Sequence, residues 1–142
     1  MTIPSQKYGA FLLRISLGVI LLAHGLAKIF IFTVPGTIAF FDSLGLHAII
    51  AYLTIFGEIT GGVALILGAY TRLVSLLSVP ILTGATWVHI DNGWLFASPN
   101  GGWEYPLLLV ILAISVFLLG SGTLAIKKIP IVDKLIPKAL KG

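Results

Sequence analysis

Cysteine is absent from this chain of 142 residues, and charged residues make up only 10% of it. Without cysteine the chain can form no disulfide and no thiolate-bound metal or iron–sulfur site. Soluble domains average about 25% charged residues, whereas 58% of this chain is hydrophobic and its mean hydropathy is +1.08. The composition therefore predicts an integral membrane protein with one domain.

Nucleotide-binding loops, zinc-ligand motifs and serine triads are also missing from the sequence. With no cysteine and only five acidic residues, we expect no metal site. The sequence pI near 9.6 arises mostly from the basic tail, residues 127–142. Beside a membrane, such a tail predicts contact with anionic lipid and no nucleic-acid partner. Docking of a partner protein on the tail is the alternative.

Four apolar runs approach the roughly 20 residues that a helix needs to cross a bilayer. They predict an all-α fold, an antiparallel bundle of four membrane-spanning helices within residues 1–126. The predicted spans are residues 8–32, 46–70, 73–90 and 105–126. Residues 33–45 and 91–103 contain Gly and Pro at turn-like positions and are predicted to be loops, the first with room for an amphipathic turn.

Lysine and arginine are distributed unevenly among the predicted loops. Lys7 precedes the first span, Arg72 lies between the second and third, and five lysines follow the fourth. The loop 91–103 contains neither residue type. Because basic residues favour the cytoplasmic side, both the N terminus and the C terminus are predicted to lie in the cytoplasm.

Glu58 lies inside the second apolar run, where an unpaired carboxylate would cost roughly 3 kcal/mol. Such a residue is a candidate catalytic group, and it needs a partner from another helix. A rise of about 1.5 Å per residue places His24 and Lys28 in the outer half of the same bundle. We therefore predict that Glu58 pairs with Lys28 or His24, with Arg14 as the reserve partner on the inner side.

The same count along the helices places His89 and Glu104 near the outer side as well. His24 and His89 fall at similar depth, so they could bind a haem as axial ligands or relay protons. The alternative, which the sequence favours over haem, is a pair of hydrogen-bonded polar residues near the interface. Glu104 is a candidate ligand contact, although an acid at a helix start is also explained by the helix dipole.

The remaining candidates also have structural explanations. Lys28 could bind an anion or a quinone carbonyl, or it could extend to the outer headgroups. Glu58 could exchange a proton, or its ion pair could simply fix the packing of the helices. Arg72 is a further candidate ligand contact, but its simplest role is that of a basic residue that sets the orientation of the chain in the membrane. Gly57 and Gly61 form a G-x-x-x-G pair, which is typical of helix packing.

Several of these positions together resemble the DoxX family of membrane proteins. The resemblance begins with an early arginine, Gly18 and the string His24-Gly25-x-x-Lys28. It continues through Glu58-x-x-Gly61-Gly62 and Leu67-Gly68-x-x-Thr71-Arg72. It ends with Gly101-Gly102-x-Glu104-Tyr105-Pro106 and Gly120-x-Gly122. The resemblance implies a four-helix protein of a prokaryotic cytoplasmic membrane, similar to the small subunit of a thiosulfate:quinone oxidoreductase.

We therefore expect a small membrane subunit of a redox system that binds a quinone or couples protons, beside another protein subunit or a second copy. In this hypothesis Lys28 and His24 hold a quinone carbonyl and Glu58 exchanges the proton. Whether the chain is itself an enzyme stays open at this point. The first alternative is a membrane scaffold without enzymatic activity, and the second is a haem-binding electron carrier.

Overall fold

The computed structural model describes residues 4–126 and 132–142, and within them every regular element is helical. Five α-helices follow one another along the chain: α1 Pro4–Phe30, α2 Val34–Ser43, α3 Ala48–Leu67, α4 Thr71–Val88 and α5 Glu104–Leu119. Short 3₁₀ turns occupy Ile90–Asn92 and Lys138–Leu140. The all-α prediction is confirmed. Lys127 and Lys128 of the predicted basic tail lie outside the described residues.

Three of these helices, α1, α3 and α4, are long and apolar enough to cross a membrane. The fourth apolar helix, α5, has 16 residues, which corresponds to about 24 Å. The prediction that this span continues to residue 126 is wrong. Gly120 and Gly122 adopt φ values of 80° and 68°, and this conformation ends the helix at Leu119.

Helices α1, α3, α4 and α5 pack against one another in one bundle. Helix α1 packs mainly against α3, and α4 packs mainly against α5, while α3–α4 and α1–α5 contacts close the ring. The backbones of α1 and α3 approach closely where Gly18 faces Gly62. A Cβ atom on Gly62 would lie 2.7 Å from the Leu22 nitrogen, so a larger residue there would push the two helices apart.

Arg14 is fully buried at the end of the bundle where α3 finishes and α4 begins. Its guanidinium donates to the carbonyls of Leu65 at 3.1 Å, Thr123 at 3.1 Å and Leu124 at 3.0 Å. The carbonyl end of a helix attracts a cation, so Arg14 stabilises the end of α3. The prediction of Arg14 as a reserve partner for Glu58 is therefore wrong.

Residues 33–45 contain a complete helix, α2, where the sequence predicted a loop with at most one turn. The Thr33 hydroxyl accepts a hydrogen bond from the Gly36 amide at 3.2 Å, and Pro35 lies in the first turn of α2, where a missing N–H has no cost. The Thr37 hydroxyl donates to the Lys28 carbonyl at 3.0 Å. These contacts hold α2 against the ends of α1 and α3.

The described part of the C-terminal tail, residues 132–142, packs against the opposite end of the bundle. Its 3₁₀ turn contacts α4, and Lys141 pairs with Asp133 at 2.8 Å. Arg72 points toward the same segment and lies 3.5 Å from the Ala139 carbonyl. Contact of the tail with anionic lipid remains a prediction.

Topology can be tested with reporter fusions. We expect a reporter inserted at Asn100 to act as extracytoplasmic, because no Lys or Arg lies in residues 91–103. A reporter fused after Gly142 should act as cytoplasmic. If alkaline phosphatase and fluorescent-protein fusions report both positions from the same side, the four-span topology is wrong.

Gly68 tests the role of Arg14 in closing the bundle. Gly68 has a φ of 74°, and a Cβ atom there would collide with Arg14 Nη1. Gly68→Ala should therefore destabilise the detergent-solubilised protein by more than about 1 kcal/mol. Gly9→Ala is the matched control, because its Cβ meets nothing within 4 Å and alanine favours a helix. Equal unfolding temperatures for the two variants would contradict this account.

Candidate functional site

A cavity of about 1,090 Å³ lies between the helices at the end of the bundle that holds α2 and residues 93–103. We call it the outer cavity, after the predicted orientation. Most of its lining is apolar, and α2 contributes Phe40 and Phe41 to it. Four of the predicted site residues line it: His24, Lys28, Glu58 and His89. A large apolar cavity with a few polar groups is the usual form of a small-molecule site.

Lys28 and Glu58 form an ion pair in the wall of the outer cavity. Lys28 Nζ lies 2.9 Å from Glu58 Oε1 and 2.7 Å from Oε2, so the ammonium donates to both carboxylate oxygens. Glu58 is 6% exposed, whereas 18% of the Lys28 side chain is exposed. The predicted pairing of Glu58 with Lys28 is confirmed. Hydrogen bonds between charged groups are about twice as strong as neutral ones.

The local structure explains why Lys28 reaches Glu58. Lys28 lies in the last turn of α1, where the helix dipole favours a cation. Glu58 lies near the middle of α3, and the close packing of α1 on α3 brings it within reach of a lysine side chain. The bond from Thr37 to the Lys28 carbonyl then fixes this turn to α2.

His24 and His89 make the same local contact on different helices. His24 Nδ1 lies 2.9 Å from the Ile20 carbonyl, and His89 Nδ1 lies 2.8 Å from the Ala85 carbonyl. A carbonyl only accepts hydrogen bonds, so each Nδ1 must carry the proton. In the neutral ring, Nε2 is then an acceptor.

Glu104 and Arg72 lie outside the outer cavity. Glu104 Oε1 accepts a hydrogen bond from the Phe96 amide at 2.6 Å, so its carboxylate holds the loop before α5. Arg72 is at the other end of α4, about 26 Å of helix from His89, and it faces the carbonyls of Leu118 and Ala139. The structure therefore separates these two candidates from the other four.

Sequence reasoning missed several residues that shape the outer cavity. Gly57 and Gly61 line it, and at Gly57 a Cβ atom would lie 2.8 Å from the Ile81 side chain of α4. The hydroxyl residues Thr54, Thr60 and Ser78 also line it. Thr54 lies four residues before Glu58 on the same helix, and that spacing was a usable signal for a shared face.

Metal ligands do not converge in the part of the chain that the structure describes. Within residues 4–126 and 132–142, no group of three His, Asp or Glu side chains could hold a metal ion. The polar groups that line the outer cavity are hydrogen-bonding side chains and the Lys28–Glu58 pair.

The ion pair predicts a specific pattern of stabilities. Lys28→Met should destabilise the protein by about 3–5 kcal/mol, because it leaves the Glu58 carboxylate buried without its cation. Lys28→Met combined with Glu58→Gln should recover most of this loss, because neither side chain then carries a charge. Chemical unfolding in detergent measures both. Lys141→Met, which breaks the partly exposed pair with Asp133, should cost only about 0–1 kcal/mol.

Comparison with known proteins gives two matches. The DoxX family model matches residues 9–90. A Bacillus subtilis (strain 168) protein named "Putative oxidoreductase CatD" is 38% identical over 122 residues, which cover 86% of this chain and 87% of that protein. No solved structure matches the chain.

Proposed function

This chain belongs to the DoxX family, and from that premise we propose that it is a small membrane subunit of a redox system whose outer cavity binds a quinone headgroup. The observation that carries the proposal is the Lys28–Glu58 pair in the wall of a largely apolar cavity. The proposed setting is a prokaryotic cytoplasmic membrane, with both termini in the cytoplasm.

The size and chemistry of the outer cavity suit a flat six-membered ring with two oxygens. Its volume of about 1,090 Å³ lies just above the range of about 300–1,000 Å³ that ligand sites usually have. Apolar side chains from α2, α3 and α4 would contact the ring. The polar groups lie along parts of α1, α3 and α4, where they can meet the ring oxygens.

Lys28 and Glu58 would divide the chemistry of a bound headgroup between them. An ammonium has three N–H donors, and Lys28 uses two of them on Glu58, so a third can reach a headgroup oxygen. The Glu58 carboxylate could take up or release a proton through Lys28 or through water. His24 would contact the headgroup from the turn of α1 that precedes Lys28.

A partner must supply part of the redox chemistry in this proposal. The chain has no cysteine for a thiolate cluster, so oxidation of a donor would occur on another subunit. The B. subtilis relative is named an oxidoreductase, and this name supports a redox role for the present chain. A partner protein or a second copy would then complete the system.

The scaffold alternative is favoured by one observation. Both oxygens of Glu58 already bind Lys28, which is what a purely structural pair requires. The haem alternative would use the two free Nε2 atoms of His24 and His89. Absorption spectroscopy of the purified protein separates it from the others, because bound haem gives a Soret band and a quinone does not.

The quinone proposal is tested by binding of decylubiquinone to the full chain in nanodiscs. The double variant Lys28→Met/Glu58→Gln should bind at least about tenfold more weakly, because it lacks the charged donor. It should stay folded, because no buried charge is left unpaired. Glu58→Gln alone should keep binding the quinone, because the Lys28 ammonium remains as a donor.

Lys141→Met is the matched control for quinone binding, because it removes a paired lysine at the opposite end of the bundle. Its quinone affinity should equal that of the unaltered chain. Unchanged affinity in a folded Lys28→Met/Glu58→Gln variant would favour the scaffold function instead.

A further inference from the structure

The polar side chains of the outer cavity offer mainly hydrogen-bond acceptors. Resting on the quinone function proposed above, we infer that the cavity binds the two-electron reduced form, the quinol, more tightly than the quinone. A quinol has two hydroxyl groups that can donate hydrogen bonds, whereas a quinone has two carbonyls that only accept them. The preference follows from the side chains described next.

Three hydroxyl side chains in the cavity wall donate their proton to their own helix. Thr54 donates to the Ile50 carbonyl at 2.8 Å, and Thr60 donates to the Phe56 carbonyl at 2.7 Å. Ser78 donates to the Val74 carbonyl at 2.8 Å. A hydroxyl has one proton and two lone pairs. Each of these groups therefore meets a ligand as an acceptor.

The two histidines of the cavity also offer a ligand a hydrogen-bond acceptor. Nδ1 of His24 and Nδ1 of His89 donate to carbonyls one turn earlier. In the neutral ring, each Nε2 is left with a lone pair for a ligand hydroxyl. Both oxygens of Glu58 are further acceptors, although Lys28 already occupies one site on each.

Donors in the cavity wall are few by comparison. Lys28 has one N–H beyond the two that bind Glu58. Three further lining residues have a side-chain donor: Trp87, Asn100 and Tyr105. A bound quinone would use these donors and leave the acceptors of Thr54, Ser78 and both histidines unmatched. A quinol can pair with donors and acceptors alike, since a hydroxyl both donates and accepts.

Preferential binding of the quinol has a thermodynamic consequence. A site that stabilises the reduced form makes the bound couple easier to reduce. A tenfold tighter quinol corresponds to a potential about 30 mV more positive than that of the free couple, because two electrons are transferred. The bound couple should therefore act as an electron acceptor that retains its reduced product.

The test compares decylubiquinol and decylubiquinone on the full chain in nanodiscs, under argon and at about pH 8, where ordinary imidazoles are neutral. Empty nanodiscs provide the blank for partition into lipid. We expect the quinol to bind at least about tenfold more tightly, as two additional hydrogen bonds would give. A redox titration of the bound couple should show the corresponding positive shift.

Matched variants test whether the acceptor side chains cause the preference for quinol. Thr54→Val and Ser78→Ala each remove a cavity hydroxyl at nearly constant side-chain shape. Each should lower quinol affinity several-fold and leave quinone affinity nearly unchanged. Thr83→Val and Ser115→Ala are the controls. The hydroxyls of Thr83 and Ser115 also donate to their own helix, but these residues lie outside the cavity lining. These two should change neither affinity.

The outcomes separate the two proposals. If neither form binds, the proposed quinone function is wrong. If quinone binds as tightly as quinol, or if the cavity variants weaken both forms equally, the quinone function stands and the inferred preference for quinol is overturned. A Soret band in the purified protein would also overturn the preference, because haem would then occupy the histidine Nε2 atoms.

Discussion

An ionised side chain in an apolar bundle must find its partner inside the protein, because lipid supplies none. This constraint organises both ends of the molecule. At one end, Lys28 binds both oxygens of Glu58 and links α1 to α3. At the other end, Arg14 is fully buried and binds backbone carbonyls. The helices between these two points pack in the register that both contacts require.

The outer cavity follows from the same arrangement. The ion pair holds α1 to α3 on one side of the cavity, while Gly57 and Gly61 let side chains of α4 approach α3 closely. Helix α2 contributes Phe40 and Phe41 to the lining and is tied to α1 by the Thr37–Lys28 bond. A ligand in the cavity would thus contact a wall whose charged groups, backbone ends and aromatic side chains are mutually fixed.

Apolar runs and the cost of a buried charge were enough to predict the helical fold and the Lys28–Glu58 pair. They could not predict α2, because its amphipathic pattern in ten residues is too short to distinguish from a loop. They named Arg14 as the reserve partner of Glu58, which is wrong. The backbone carbonyls that Arg14 binds leave no recognisable pattern in the sequence. Glu104 was grouped with the cavity by depth alone, and depth along a helix does not say which face a residue takes.

The contacts of Arg14 also bear on how the protein is made. Arg14 belongs to α1, yet two of its acceptors are the carbonyls of Thr123 and Leu124, which follow α5. Until α5 has been inserted, the guanidinium lacks these partners and must keep water or lipid headgroups around it. Closure of this end of the bundle therefore waits until residues 123 and 124 have been synthesised, and a chain truncated before residue 123 retains an incompletely paired charge in its core.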